Sequence, residues 1–148
     1  MEEIAMSSNR ITGTNFSLID GVVDFFGAKA IHTDKLCAVN CYIGGDIMIQ
    51  VDPNSSNVEE CILECIKEDI EAGRRDDIAY VIVGNRYAAS LYIDKVITEE
   101  HLRNATEGDD YVDLPGVAFG DFTLTVRVDP SVEPNFCATA DKDCVVIQ

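Results

Sequence analysis

The sequence predicts an α+β fold, an antiparallel or mixed sheet built from β-hairpins with two or three helices packed on it. Three observations predict it. Two pairs of β-rich runs flank two-residue turns, Gly44-Gly45 and Gly84-Asn85; the segment 58–72 has unbroken helical periodicity; and strands and helices do not alternate as regular βαβ units. The 148 residues and 47% apolar content suit one globular domain over 1–148, with 1–10 and 130–143 expected to be loosely ordered.

The first element begins near Ser17. Leu18, Ile19, Val22, Val23 and Phe26 recur at helical spacing, with Ser17 placed as N-cap and Asp20 in the first turn, so a helix is expected. Gly21, Gly27 and the β-branched pair Val22-Val23 leave a strand as the competing assignment. The runs 36–43 and 46–52 read as a hairpin about Gly44-Gly45, with Tyr42 facing Ile47, Asn40 facing Ile49 and Cys41 opposite Met48. Both of its faces are mostly apolar, which predicts cover on both sides or a subunit contact.

Residues 53–57 form a loop feeding the helix at 58–72. Val58, Cys61, Ile62, Cys65, Ile66 and Ile70 make its apolar face, and Gly73 stops it. The runs 78–83 and 86–93 about Gly84-Asn85 predict a second hairpin. Thr98 caps a short helix over 99–105, with Glu99 and Glu100 in its first turn. A charged loop follows at 107–110. Residues 122–128 alternate as a strand, with Phe122, Leu124, Val126 and Val128 on one face, and after Pro130 and Pro134 the run 144–147 reads as a last edge strand.

Charge restricts the function classes. Twenty-seven acids against 11 Lys and Arg leave a net charge of −16, which argues against direct binding to phosphate backbones or to anionic membranes. No apolar run reaches the roughly 18–20 residues that span a bilayer, and the acidic start Met1-Glu2-Glu3 has no signal-peptide core, so a cytoplasmic protein is expected. In that compartment Cys37, Cys41, Cys61, Cys65, Cys137 and Cys144 read as reduced thiols on apolar, buried positions. Their Cys-x-x-x-Cys spacings are not zinc knuckles, Asp109-Asp110 and Asp141/Asp143 lack the calcium-loop pattern, and no glycine-rich phosphate cradle is present; no metal or cofactor is expected. His32 and His101 read as surface or cap residues, and Arg74-Arg75 as cations complementing a helix C-terminus.

The acids carry more content. Glu60, Glu64 and Glu68 recur at i, i+4 on the exposed flank of the 58–72 helix, and Glu71 continues the row. Carboxylates so placed are about 5–6 Å apart, on the order of the separation of phosphates along a strand, and repel by about 0.2–0.5 kcal/mol per pair. With Glu107, Asp109, Asp110 and Asp113 they make the candidate contact surface of a non-enzymatic inhibitor, of the kind phages and mobile elements carry. Its expected partner is the basic surface of a nucleic-acid-handling protein. An acidic surface that serves solubility alone is the plain competitor. Two further classes stay open. One is a ligand-binding or homodimeric module using the 36–52 hairpin with Asn40, Tyr42, Tyr87 and Tyr92; the other is a small enzyme using Cys37 or Cys41 with His32.

Overall fold

The computed structural model describes residues 10–32, 37–43, 46–51 and 57–147, with the backbone alone at 32, 37, 38, 40–43, 46–51 and 57. Among the described residues it is an α+β structure of two sheets and three helices. The first sheet is a six-stranded antiparallel meander in chain order: β1 (Arg10–Thr12), β2 (Phe16–Ile19), β3 (Val22–Phe25), β4 (Ala28–His32), β5 (Cys37–Ile43) and β6 (Asp46–Val51). The second is five-stranded and mixed. Its strands are β7 (Tyr80–Val83), β8 (Thr106–Glu107), β9 (Val112–Phe119), β10 (Phe122–Val128) and β11 (Cys137–Ala140), in the order β11-β7-β10-β9-β8. The helices are α1 (Asn57–Glu71), α2 (Asn85–Ile93) and α3 (Glu99–Arg103), with a 3-10 turn at Arg75–Asp77.

The helix expected from Ser17 is instead the β2–β3 hairpin. Asp20 and Gly21 both take positive φ, 51° and 84°, which closes a two-residue turn matched to strand twist. Phe26 and Gly27 repeat the device at 52° and 93°, and Asp24 Oδ1 accepts the Gly27 N–H at 2.8 Å. Between these turns the period is two. Phe16 and Leu18, then Val23 and Phe25, then Ala28 and Ala30 are buried, and their neighbours are not. Phe16 pairs with Phe25 across the strands, with ring centroids 6.3 Å apart. The β5–β6 register is the expected one, Asn40 to Ile49, Cys41 to Met48 and Tyr42 to Ile47. The Gly44-Gly45 turn and residues 52–56 lie outside the described residues.

The second expected hairpin is corrected too. Gly84 has φ −73° and makes no hairpin turn; it leads from β7 into α2. A methyl group there would meet Glu133 O at 2.0 Å, so this glycine permits close backbone approach. Helix-forming Ala88, Ala89 and Leu91 are fully buried in α2, which packs on β3, β4 and β5. The chain then returns through α3, β8 and β9 to β10, which lies parallel to β7.

Strand β10 keeps its expected bounds and buries Leu124, Val126 and Val128. Its partner β9 contains Pro115-Gly116, a pair that ordinarily marks a turn. Here those exposed residues form a bulge, with Leu124 opposite Val117 and Val126 opposite Leu114, and Gly116 at φ 76°. The edge strand lies at 137–140 rather than 144–147, which contributes a single bridge from Ala140 to Val146 and leaves Val145 and Val146 exposed. One hydrophobic cluster, including Phe25, Val39, Ile62, Leu91, Leu114 and Phe119, draws on both sheets and on the helices.

Candidate functional site

Helix α1 follows its expected course and ends as the sequence predicts. Gly73, at φ 79°, donates its N–H to Ile70 O while Arg74 N–H reaches Asp69 O, the paired bonds of a Schellman cap. The buried face is Val58, Ile62 and Ile66. At about 100° per residue, Glu60, Glu64, Glu68 and Glu71 fall within an arc of about 80° on the opposite side. All four are exposed, and among the described residues none makes a side-chain hydrogen bond or an ion pair. The only cation between them is Lys67, also exposed. The Gly120 turn lies next to this helix, where a methyl group on Gly120 would sit 3.5 Å from Leu63 Cδ2.

The second group of predicted contact residues, at 107–113, lies at the other end of β9 from that turn. The fold uses two of its four acids. Glu107 accepts the backbone N–H of Thr14 at 3.0 Å and of Asn15 at 2.6 Å, and the Asn15 side chain donates to Gly108 O and Tyr111 O. This clip ties the β1–β2 turn to the β8–β9 hairpin. Asp113 is buried and holds Arg127 through two bonds of 2.7 and 2.8 Å. Arg127 in turn lies over the rings of Tyr111, at 3.8 Å, and Tyr80, at 5.3 Å. The hydrogen bond to Asp113 holds the guanidinium above its ordinary pKa against the opposing effect of burial. Burial foremost pushes the Tyr80 hydroxyl up as well, with Cys144 and Asp113 adding to the effect. Of the four, Asp109 and Asp110 are exposed and have no partner among the described residues. A signal for the Asp113–Arg127 pair existed in the sequence: Arg127 is the one charged residue of β10, in register with Thr123 and Thr125.

The residues named for a ligand or dimer contact are not brought together where the structure describes them. Tyr87 and Tyr92 lie on α2 rather than on a strand, five residues and therefore roughly 140° apart around it. Both are half-buried, and desolvation pushes both hydroxyls up. Tyr92 lines an open groove of about 550 Å³ with Lys95, Thr98, Glu99 and Glu100 at the α2–α3 junction. The side chains of Asn40 and Tyr42 lie outside the described residues, as do those of His32, Cys37 and Cys41 that the enzyme reading needs.

His101 takes the capping role. Its Nδ1 accepts the Thr98 backbone N–H at 2.9 Å, and its Nε2 lies 3.1 Å from Gly116 O at the β9 bulge, a pair of contacts made by the neutral ring protonated on Nε2. The cysteines depart from expectation. Cys61 is exposed, and Cys65, Cys137 and Cys144 are half-buried. Cys61 projects about 100° from the centre of the α1 core face, at its margin rather than within it.

Among the described residues no group of three or more His, Cys, Asp or Glu side chains is arranged to hold a metal ion, and no helix is long and apolar enough to cross a membrane. No protein-family model matches the chain, and no curated protein or solved structure matches it at a significant level.

Proposed function

We propose that the chain is a non-enzymatic interaction protein whose outer α1 face binds, and blocks, the basic surface of a nucleic-acid-handling protein. The observation that carries this reading is the exposed row Glu60, Glu64, Glu68 and Glu71, without a partner among the described residues. A carboxylate at every turn of a helix, about 6 Å of axis per step, is a regular line of negative charge on a straight support. Glu60 lies in the first turn, where the helix dipole favours a carboxylate, but Glu64, Glu68 and Glu71 lie beyond it, where like charges at that spacing oppose helix stability. Local neutralisation is slight, whereas Glu99 is paired with Arg103, and Asp113 with Arg127. Such a row would steer a Lys- and Arg-rich partner at a rate that falls with added salt.

The test separates a patch from bulk charge. Glu60→Gln/Glu64→Gln/Glu68→Gln and Asp20→Asn/Asp109→Asn/Asp110→Asn remove the same three charges from different places. Each is titrated against a basic DNA-binding domain preloaded with labelled DNA, and release of the DNA is followed across a salt series. The α1 variant is expected to lose competition by at least tenfold while the second variant retains it. Equal losses from the two would mean that net charge, and not the α1 face, is responsible.

A further inference from the structure

Two thiols face each other where α1 crosses the edge strand. Thr139 Oγ1 donates to Asp69 Oδ2 at 2.5 Å, which fixes one rung between the helix and β11. One turn back along α1, about 6 Å of axis, stands Cys65. Two residues back along β11, about 6.6 Å and on the same strand face, stands Cys137. The steps match, so the neighbouring rung is a thiol pair, Cys65 against Cys137, where α1 packs on β11. Cys61, one further turn along and exposed, extends the row toward solvent.

We propose that Cys65 and Cys137 are an oxidative modification site, closing a disulfide that fastens the acid-bearing helix to β11 under a peroxide-class oxidant. The inference does not depend on what the acidic face binds. Cys65 takes the first step, because burial holds the Cys137 thiol further from ionisation. Its thiolate attacks one oxygen of hydrogen peroxide; an S–O bond forms, the O–O bond breaks, and hydroxide leaves to take up a proton as water. The Cys137 sulfur then attacks the Cys65 sulfenic acid; the S–S bond forms, the S–O bond breaks, and water departs with the Cys137 proton. Two thiols give up two electrons and two protons, and the peroxide becomes two waters.

Burial pushes the Cys65 thiol up, with Glu68, Asp69 and Cys61 adding to it, and pushes Cys137 up to about 12. Among the described residues Tyr87, from α2, also faces these thiols. Thiolate is therefore scarce at neutral pH and grows as pH rises, so closure is faster in alkali.

Purified full-length protein is treated with hydrogen peroxide at pH 7 and pH 9, quenched with iodoacetamide and mapped by mass spectrometry without reduction. A bridge joining the Cys65 and Cys137 peptides is expected in wild type and in Cys61→Ser, several-fold faster at pH 9, and absent from Cys65→Ser and Cys137→Ser. The bridged protein should melt several degrees above its reduced form, and dithiothreitol should reverse the shift. Because wild type alone gives the bridge, a serine variant that fails to fold does not spoil the test. A folded wild type showing no 65–137 bridge, or a Cys65→Ser variant bridging equally well through Cys61, would overturn the assignment.

Discussion

The row of acids on α1 and the acids between 107 and 113 are equal in number, four each, and differ in use. Glu60, Glu64, Glu68 and Glu71 point away from the core and have no partner among the described residues. Glu107 and Asp113 are bound into the structure, one to two backbone N–H groups and one to a guanidinium. The lesson is that a carboxylate's neighbours, not its sign, decide whether it stabilises. At 113 the negative charge compensates a half-buried cation stacked between tyrosines. On α1 it meets mostly its own kind. Charge removal should therefore have opposite effects in the two places.

The largest effect is expected at Asp113. Asp113→Ala leaves Arg127 without a counter-charge between Tyr80 and Tyr111, and should lower unfolding stability by about 2–4 kcal/mol in urea titration. Adding Arg127→Leu should return much of that loss, since removing both partners is far less costly than stranding one. A single Asp113→Ala variant as stable as wild type would erase the contrast.

A smaller loss is expected at Glu107. Glu107→Ala strips the Thr14 and Asn15 N–H groups of their acceptor, and water replaces it in part because the site is exposed. About 1–2 kcal/mol is the expected decrease. Amide exchange at Thr14 and Asn15 should quicken more than exchange in β9, which would show that the clip between the sheets has loosened.

The third effect is the smallest and has the reverse sign. Glu60→Gln/Glu64→Gln/Glu68→Gln removes two like-charge i, i+4 contacts, so stability should rise by about 0.5–1 kcal/mol at low ionic strength. Half-molar salt should shrink the gain by screening the repulsion in wild type. A net loss of stability would mean that the row serves the fold, and the basis for reading it as a contact surface would go.

Legibility in the sequence followed the range of the interactions. Helix α1 was readable because Val58, Ile62 and Ile66 repeat within one segment and Gly73 is suited to the cap. Strand β10 was readable for the same reason at period two. Residues 17–26 misled because Leu18, Ile19, Val22, Val23 and Phe26 satisfy a helical template by coincidence. The stronger signal, Asp20-Gly21 as a primed turn, was present and outranked. Strand β9 was hidden by Pro115-Gly116, which a bulge absorbs once Leu114 and Val117 find Val126 and Leu124 across the ladder. The segment 86–93 has aromatic and β-branched residues that favour a strand. Close packing of Gly84 on the 133–134 backbone and burial of Ala88 and Ala89 decided for a helix.

The same division holds for the candidate surface. The sequence by itself determined the exposed acidic row, because one helix carries all of it and helical geometry needs no other segment to place it. Only the tertiary structure decided that Glu107 answers Thr14 and Asn15, that Asp113 answers Arg127, and that Cys65 meets Cys137. Those partners stand many residues apart in the chain. Their meeting depends on sheet order, a bulge and a helix crossing angle, none of which local periodicity encodes.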